Sequence, residues 1–356
     1  MDEKLSLKGI DTVALDEDKN CVVIIDQTLL PGDIRLKSVD DAGDMYDAIK
    51  RLEVRGAPAI GVFAAFGMYV LSKQMENKDY DAFISAFREK ADFLNSSRPT
   101  AVNLSWALKR MKRVAEEDSS LPVPEIVSRL RTEALSIRDE DIEICRGIGE
   151  HGLSLLKPGA VLMTHCNAGS LATIRYGTAT APIYLGQEKG YNFRVYCDET
   201  RPLLQGARLT AFELSQYGVD TTVLCDNMSA SLMAGGSVDA VLVGCDRVAV
   251  NGDAANKIGT SLLALAAKHY GVPFYVCAPS STVDFETAEG KDIPIEMRDP
   301  DEVTEMWYSK RMAPKGVKVY NPAFDVTDHS LITGIITEEG VAYPPYTDSL
   351  KALLQK

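Results

Sequence analysis

From Ala160 onward the chain alternates between short apolar runs and amphipathic stretches, and this alternation limits the fold more than any other feature. The runs 160–165, 193–197, 221–225, 239–244 and 273–278 have strand length and β-branched character. Helical stretches fall between them, at 203–217, from the Asp226-Asn227 pair to about Ala234, and at 256–270. Repeated alternation of this kind implies a parallel sheet with helices on both faces. In such a sheet the C-terminal strand ends share one edge, where α/β proteins bind ligands. Cys166, Asp198, Asp226 and Asp246 each follow directly on a predicted strand. A thiol and three carboxylates, far apart in sequence, are therefore expected along one crevice. A single strand-end aspartate is more often a helix cap than a catalyst, and Asp198 and Asp226 read mainly that way.

The N-terminal part follows a different pattern. A strand at 21–26 is followed by helices at 44–53, 57–71, 79–94 and 102–117. In R-G-A-P-A-I-G (55–61), Arg55 precedes a free helix N-terminus, Pro58 suits its first turn, and Gly56 and Ala57 leave room for a ligand. That is an anion site in outline. Arg98 is a second cation just before a helix. A connector, S-S-L-P-V-P-E (119–125), leads into a long charged helical stretch, 126–156, broken by Gly147, Gly149 and Gly152. The domain change is placed near residue 130. This gives a mostly helical domain, 1–130, with short strands, and an α/β domain, 131–356.

A length of 356 residues allows about two cores. The net charge of −13 argues against a general nucleic-acid binder but not against a small phosphorylated substrate held by local cations. Seven dispersed cysteines without a C-x-x-C pair point to reduced thiols and a cytoplasmic home. Cys197, Cys225, Cys245 and Cys277 lie in or beside apolar runs and read as core. No signal peptide opens the chain, and the apolar helix 57–71 is too short to span a bilayer. The four histidines are not at metal-ligand spacing, and no G-x-G-x-x-G follows a strand, so neither a metal nor a dinucleotide cofactor is indicated.

Polar groups crowd one stretch, V-G-C-D-R-V-A-V-N-G-D-A-A-N-K-I-G-T (243–260), between a predicted strand and a helix opening at Asn256-Lys257. Gln205 lies early in another helix at the same edge. What remains is metal-free acid–base work on a phosphorylated small molecule, with Cys and Asp moving protons and Arg55, Arg98 and Lys257 holding phosphate.

Six runs carry a resemblance: R-G-A-P-A-I-G (55–61), S-R-P-T-A-V-N-L-x-W-A-L (97–108), H-C-N-A-G-x-L-A-T (165–173), E-T-R-P-L-L-Q-G-A-R-L-T-A (199–211), the 243–260 stretch and N-P-A-F-D-V-T (321–327). In order, and across nearly the whole chain, they resemble the methylthioribose-1-phosphate isomerases. The resemblance implies a helical N-terminal domain, a Rossmann-like C-terminal domain and a homodimer. It implies conversion of an aldose 1-phosphate to 5-methylthioribulose 1-phosphate in methionine salvage, without metal or cofactor. Matched by motif, Cys166 and Asp246 are the catalytic pair, and Arg55, Gly56, Ala57, Arg98, Gln205, Asn256 and Lys257 bind substrate. Asp246, as a carboxylic acid in a dry pocket, is assigned to the ring oxygen, since burial favours its protonated form. Cys166 is assigned to C1/C2 as a base or a stabiliser. No cation stands beside it in the sequence to lower its pKa, which favours a hydride shift.

One run departs from the pattern. T-A-P-I-Y-L-G (180–186) stands where a Leu-Gly-Val-Ile-like run is expected, and keeps 5-deoxyribose 1-phosphate as an alternative substrate. Ribose 1,5-bisphosphate isomerases and the non-catalytic regulatory subunits of initiation factor 2B are the remaining alternatives. A non-catalytic member is expected to lack Cys166 or Asp246.

Overall fold

A computed structural model describes residues 7–76, 78–98, 102–117 and 119–355. The chain forms two compact units, Met1–Glu143 with Ser170–Gly177, and Ile144–Gly169 with Thr178–Lys356. The division falls inside the helix Val123–Leu153, later than the expected change near residue 130. The three glycines do not break that helix. A Cβ at Gly147 would press on Glu338, at Gly149 on Leu185 and Ala181, and at Gly152 on Pro182, so each glycine permits close packing within the second unit. Such glycines weaken a helix by about 1 kcal/mol each without ending it.

In the first unit the strands Val13–Asp16, Cys21–Ile25 and Leu36–Val39 form an antiparallel sheet. Helices Ala42–Lys50, Ala57–Lys73, Tyr80–Asn95 and Val102–Glu116 follow, within a few residues of expectation. Asp41 and Asp79 cap two of them through backbone N–H groups of the first turn. Ala57–Lys73 is buried from Ala59 to Ser72 on every side, which is why it lacks an amphipathic stripe: the other helices wrap around it. Ser170–Gly177 joins this unit through Thr12 Oγ1 donating to Ser170 O (2.7 Å), Gln27 Nε2 to Leu171 O (2.7 Å) and Ile174 N–H to Asp141 (2.8 Å).

The second unit contains the expected parallel sheet. Its strands lie in the order Gly340–Ala342, Gly334–Thr337, Phe274–Cys277, Ala240–Val243, Val161–Thr164, Arg194–Asp198, Asp220–Leu224, and only the first pair is antiparallel. Chain order runs outward from Val161–Thr164 to one edge, then returns to the other side of it at Ala240–Val243. The topological switch point lies between these two strands, whose residues are all buried.

Two local expectations fail in this unit. The 243–260 stretch is not strand, loop and helix. Arg247–Ala249 and Ala254–Lys257 form an antiparallel hairpin, which joins Val283–Asp284 and Phe324–Thr327 in a second, four-stranded sheet. Asn256 and Lys257 therefore end a strand, and the helix begins at Thr260. Asp325, on the neighbouring strand, accepts the N–H groups of Gly259 and Ser261 and sets that helix start. The single helix expected at 203–217 is instead a π-helical turn, Gly206–Thr210, followed by Ala211–Gln216. Among the described residues no helix is long and apolar enough to cross a membrane.

Candidate active site

Cys166 and Asp246 stand just beyond the two strands that flank the switch point. Cys166 is half-buried and adopts a left-handed backbone, with φ +65°, a conformation that costs an L-residue about 1–2 kcal/mol. Its surroundings hold it there. Its N–H donates to Thr200 Oγ1 (2.8 Å), and its carbonyl accepts from Thr210 Oγ1 (2.6 Å). Thr200 is left-handed too (φ +64°), fixed by Asp226, whose carboxylate accepts the N–H groups of Thr200 (2.7 Å) and Arg201 (2.8 Å). Behind Thr210, Asn167 Nδ2 donates to Thr210 Oγ1 (3.1 Å) and to the fully buried Glu213 (2.8 Å). Non-glycine residues in this region of backbone space mark strain that the surrounding contacts must sustain.

Asp246 is held differently. Its N–H donates to Ala255 O (2.9 Å), which seats it on the hairpin, and the residue is exposed. The dry pocket expected for it is therefore not supplied by the free chain. Cys245 beside it is turned away, with its thiol on the carbonyls of Arg247 (3.1 Å) and Ala255 (3.3 Å), and burial raises its pKa. Burial acts the same way on Cys197 and Cys277, as expected for core thiols. Cys225 departs from expectation: it is exposed at the edge of the sheet, where the charge of Glu199 raises it.

Three further candidates lie in the same unit. Asn256 is buried and donates to Thr260 Oγ1 (3.1 Å). Lys257 Nζ rests 3.0 Å from Ala323 O and 4.3 Å from the Phe324 ring centroid. Gln205 lies just before the π-helical turn, buried, and its Oε1 has no hydrogen-bond partner among the described residues. A buried amide oxygen without a donor is costly, and a ligand hydroxyl would satisfy it.

Arg55, Gly56, Ala57 and Arg98 belong to the first unit. Gly56 has φ +89°, and a Cβ there would collide with Ala172, so only glycine fits. The helix it opens has Pro58 in its first turn, no side-chain cap and no acidic residue there. Its N–H groups and Arg55 together form a cationic end suited to an anion. Arg98 follows Tyr80–Asn95, half-buried, while residues 99–101 of its motif lie outside the described residues.

Asp198 and Asp226 are not the helix caps expected of them. Asp198 is buried; it accepts from Ser229 Oγ, and its other oxygen faces His165 Nδ1 at 3.1 Å. With His165, the two aspartates bring one nitrogen and two oxygens within 4.8 Å of one another. The hydrogen bonds from Ser229, Thr200 and Arg201 already engage those carboxylates, so the cluster reads as a hydrogen-bonded knot rather than a cation site. Sequence reasoning missed Thr200, Thr210 and Glu213 as supports of the Cys166 corner, and His165 as a partner of Asp198.

The profile of the initiation factor 2 subunit family matches residues 53–344, and the chain belongs to that family. The methylthioribose-1-phosphate isomerase of Symbiobacterium thermophilum is 60% identical, with 98% of this chain and 97% of the relative aligned. The 5-deoxyribose 1-phosphate isomerase of Petrotoga mobilis is 56% identical over 96% of this chain and 99% of the relative. Among solved structures, the 5-methylthioribose 1-phosphate isomerase of Pyrococcus horikoshii OT3 superposes with a TM-score of 0.94 at 44% identity, covering 98% of this chain and 96% of that one. The translation initiation factor eIF-2B subunit delta of A. fulgidus reaches 0.91 at 40% identity, covering 98% and 100%.

Proposed function

We propose that the protein is an aldose–ketose isomerase that converts 5-methylthioribose 1-phosphate to 5-methylthioribulose 1-phosphate, a methionine-salvage reaction. The observation that carries this reading is the placement of Cys166 and Asp246 on either side of the switch point. With C1 tied up as a phosphate ester, the sugar ring cannot open to a free aldehyde. Asp246 protonates the ring oxygen as the C1–ring oxygen bond breaks, the C2 hydrogen moves to C1, and the C2 hydroxyl becomes the ketone as its proton passes to the Asp246 carboxylate or to water. Asp246 is exposed, and the bound sugar would cover it and favour its protonated form. Cys166 acts at C1/C2. Lys257 binds the phosphate and Gln205 and Asn256 orient the hydroxyls, while Arg55, Gly56, Ala57 and Arg98 are read as substrate-binding on the strength of their motifs.

A second substrate, 5-deoxyribose 1-phosphate, is favoured by relatives of 53–56% identity that carry that activity in their names. Turnover of the 5-methylthio, 5-deoxy and 5-phospho sugar 1-phosphates, measured side by side, tests the reading. The 5-methylthio compound is expected to give ketose with the highest kcat/KM; no ketose from any of the three would overturn isomerase function.

The protein is further proposed to work as a homodimer in the cytoplasm. The edge strand Asp220–Leu224 exposes Val223, and the nearby segments expose Met228, Leu262 and Leu265. A second copy covering such exposed apolar side chains predicts twice the chain mass in sedimentation. None of Cys21, Cys197, Cys225, Cys245 and Cys277 is in a disulfide among the described residues, which supports a reducing compartment.

A further inference from the structure

His165 has no part in the proposed proton transfers, yet it is buried at the junction of the site's two halves. Its Nδ1 lies 3.1 Å from Asp198 Oδ2, and its Nε2 lies 2.8 Å from Ile258 O. A carboxylate and a carbonyl are both acceptors, whereas a neutral imidazole carries one N–H. Either the ring is an imidazolium donating to both, or Asp198 is protonated and donates to Nδ1. The surroundings favour the first. Ser229 Oγ already donates to Asp198 Oδ1, Asp226 brings a second carboxylate from the Asp226–Met228 turn, and Asp325 faces the ring from the strand Phe324–Thr327. Burial pulls the imidazole pKa down, but the hydrogen bond and charge of Asp198, then the charge of Asp226 and the Ile258 carbonyl, leave it raised on balance. Burial, with the charge of Asp226, also leaves Asp198 raised on balance, although its bonds to His165 and Ser229 pull it down. We assign the proton to the ring because three carboxylates and a carbonyl surround it.

Position gives that charge a purpose. His165 precedes Cys166, and Ile258 follows Lys257. The segment is pressed against the ring so closely that a Cβ at Gly259 would lie 2.8 Å from Cε1 and 3.0 Å from Nε2. We propose that His165, as an imidazolium, is a positioning residue that clamps the Lys257–Ile258 segment to the Cys166 corner. Its kinetic consequences rest on the isomerase reading; its charge state does not. The sign follows from the direction of the shift. The clamp is complete at low pH and is lost as pH rises through the raised pKa of the folded state, so kcat/KM falls on the alkaline side.

The ring nitrogens of the wild-type protein, labelled with ¹⁵N-histidine and observed without substrate, decide the charge. Titrated with pH, His165 is expected to keep protons on both nitrogens to a higher pH than an ordinary histidine, whose pKa is near 6.5, its signals identified by their loss in His165→Gln. A ring that is already a single neutral tautomer at or below that ordinary pKa would overturn the proposal. In kinetics, His165→Gln should lower kcat and raise KM together, by about tenfold or more in kcat/KM per folded molecule, and flatten the alkaline limb. Asp198→Asn, which removes the counter-charge, should move that limb to lower pH. A folded His165→Gln enzyme with unchanged kcat, KM and pH profile would overturn the clamp while leaving the isomerase reading intact. Absence of turnover in the wild type would overturn that reading instead, and the spectrum would still decide the charge.

Discussion

Cys166 and Asp246 occupy equivalent places, one strand end on each side of the switch point, and the protein builds them in opposite ways. Cys166 sits in left-handed backbone, half-buried, with its N–H and carbonyl each held by a threonine hydroxyl. Asp246 sits in ordinary backbone on a hairpin, exposed, with its N–H on Ala255 O. The difference fits the two tasks proposed for them. A thiol that must lie against C1 and C2 gains from being fixed before the sugar arrives, because orientation is then set in advance. A carboxyl proposed to protonate the ring oxygen needs a dry neighbourhood, which a bound sugar would supply at an exposed strand end.

The largest effects test whether both corners act in the same reaction. Cys166→Ala and Asp246→Asn should each lower kcat by about 10²-fold or more while the protein stays folded. They should differ in what substrate does for them. In the wild type, iodoacetamide should alkylate Cys166 without substrate and be blocked by it, whereas Asp246→Asn should leave that alkylation rate unchanged. Equal kcat in wild type and both variants would remove the two corners from the chemistry altogether. Lys257→Ala comes next. Loss of a charge-assisted phosphate contact should raise KM by about tenfold or more and leave kcat within a few-fold. A pure kcat defect would move Lys257 from binding to chemistry.

Much of this contrast was legible in the sequence, and the part that was not has a physical cause. Apolar runs ending in Cys or Asp located both corners, because the buried strands Val161–Thr164 and Ala240–Val243 need unbroken apolar residues. The hairpin beneath Asp246 escaped detection because its strands are three and four residues long and one pairs with Phe324–Thr327, far along the chain. His165 looked like the last residue of a strand. Its partners lie 33 and 93 positions away, and no local pattern reports them. The backbone of Cys166 was hidden for a related reason. Left-handed conformation is readable from a glycine, not from a cysteine held there by Thr200 and Thr210. Arg55, Gly56, Ala57 and Arg98 are proposed from their motifs and the helix start, and Gly56 shows the steric need that such a motif encodes.

A smaller effect sharpens the contrast at its supports. Thr200→Val removes the acceptor for Cys166 N–H, and Thr210→Val removes the donor to its carbonyl. A net hydrogen bond is worth about 0.5–1.5 kcal/mol, so each variant should lower kcat by roughly two- to tenfold with KM little changed. Wild-type kcat in the double variant would mean that Cys166 holds its place without them.

The smallest effect separates the corners by sign rather than size. In ordinary backbone, glycine is about 0.5–1 kcal/mol less stable than alanine, because it loses more freedom on folding. Asp246 is not among the residues with positive φ, so Asp246→Gly should be less stable than Asp246→Ala by about that amount. At Cys166 the order should reverse. Alanine keeps the Cβ and with it the left-handed penalty of about 1–2 kcal/mol, whereas glycine is free of it. Cys166→Gly should therefore match or exceed Cys166→Ala in urea unfolding, compared at equal m-values so that the difference reports the native state. Neither variant has a thiol, so catalysis does not enter the comparison. If alanine proves more stable than glycine at both positions, the left-handed strain at Cys166 is absent in solution, and the two corners differ only in exposure.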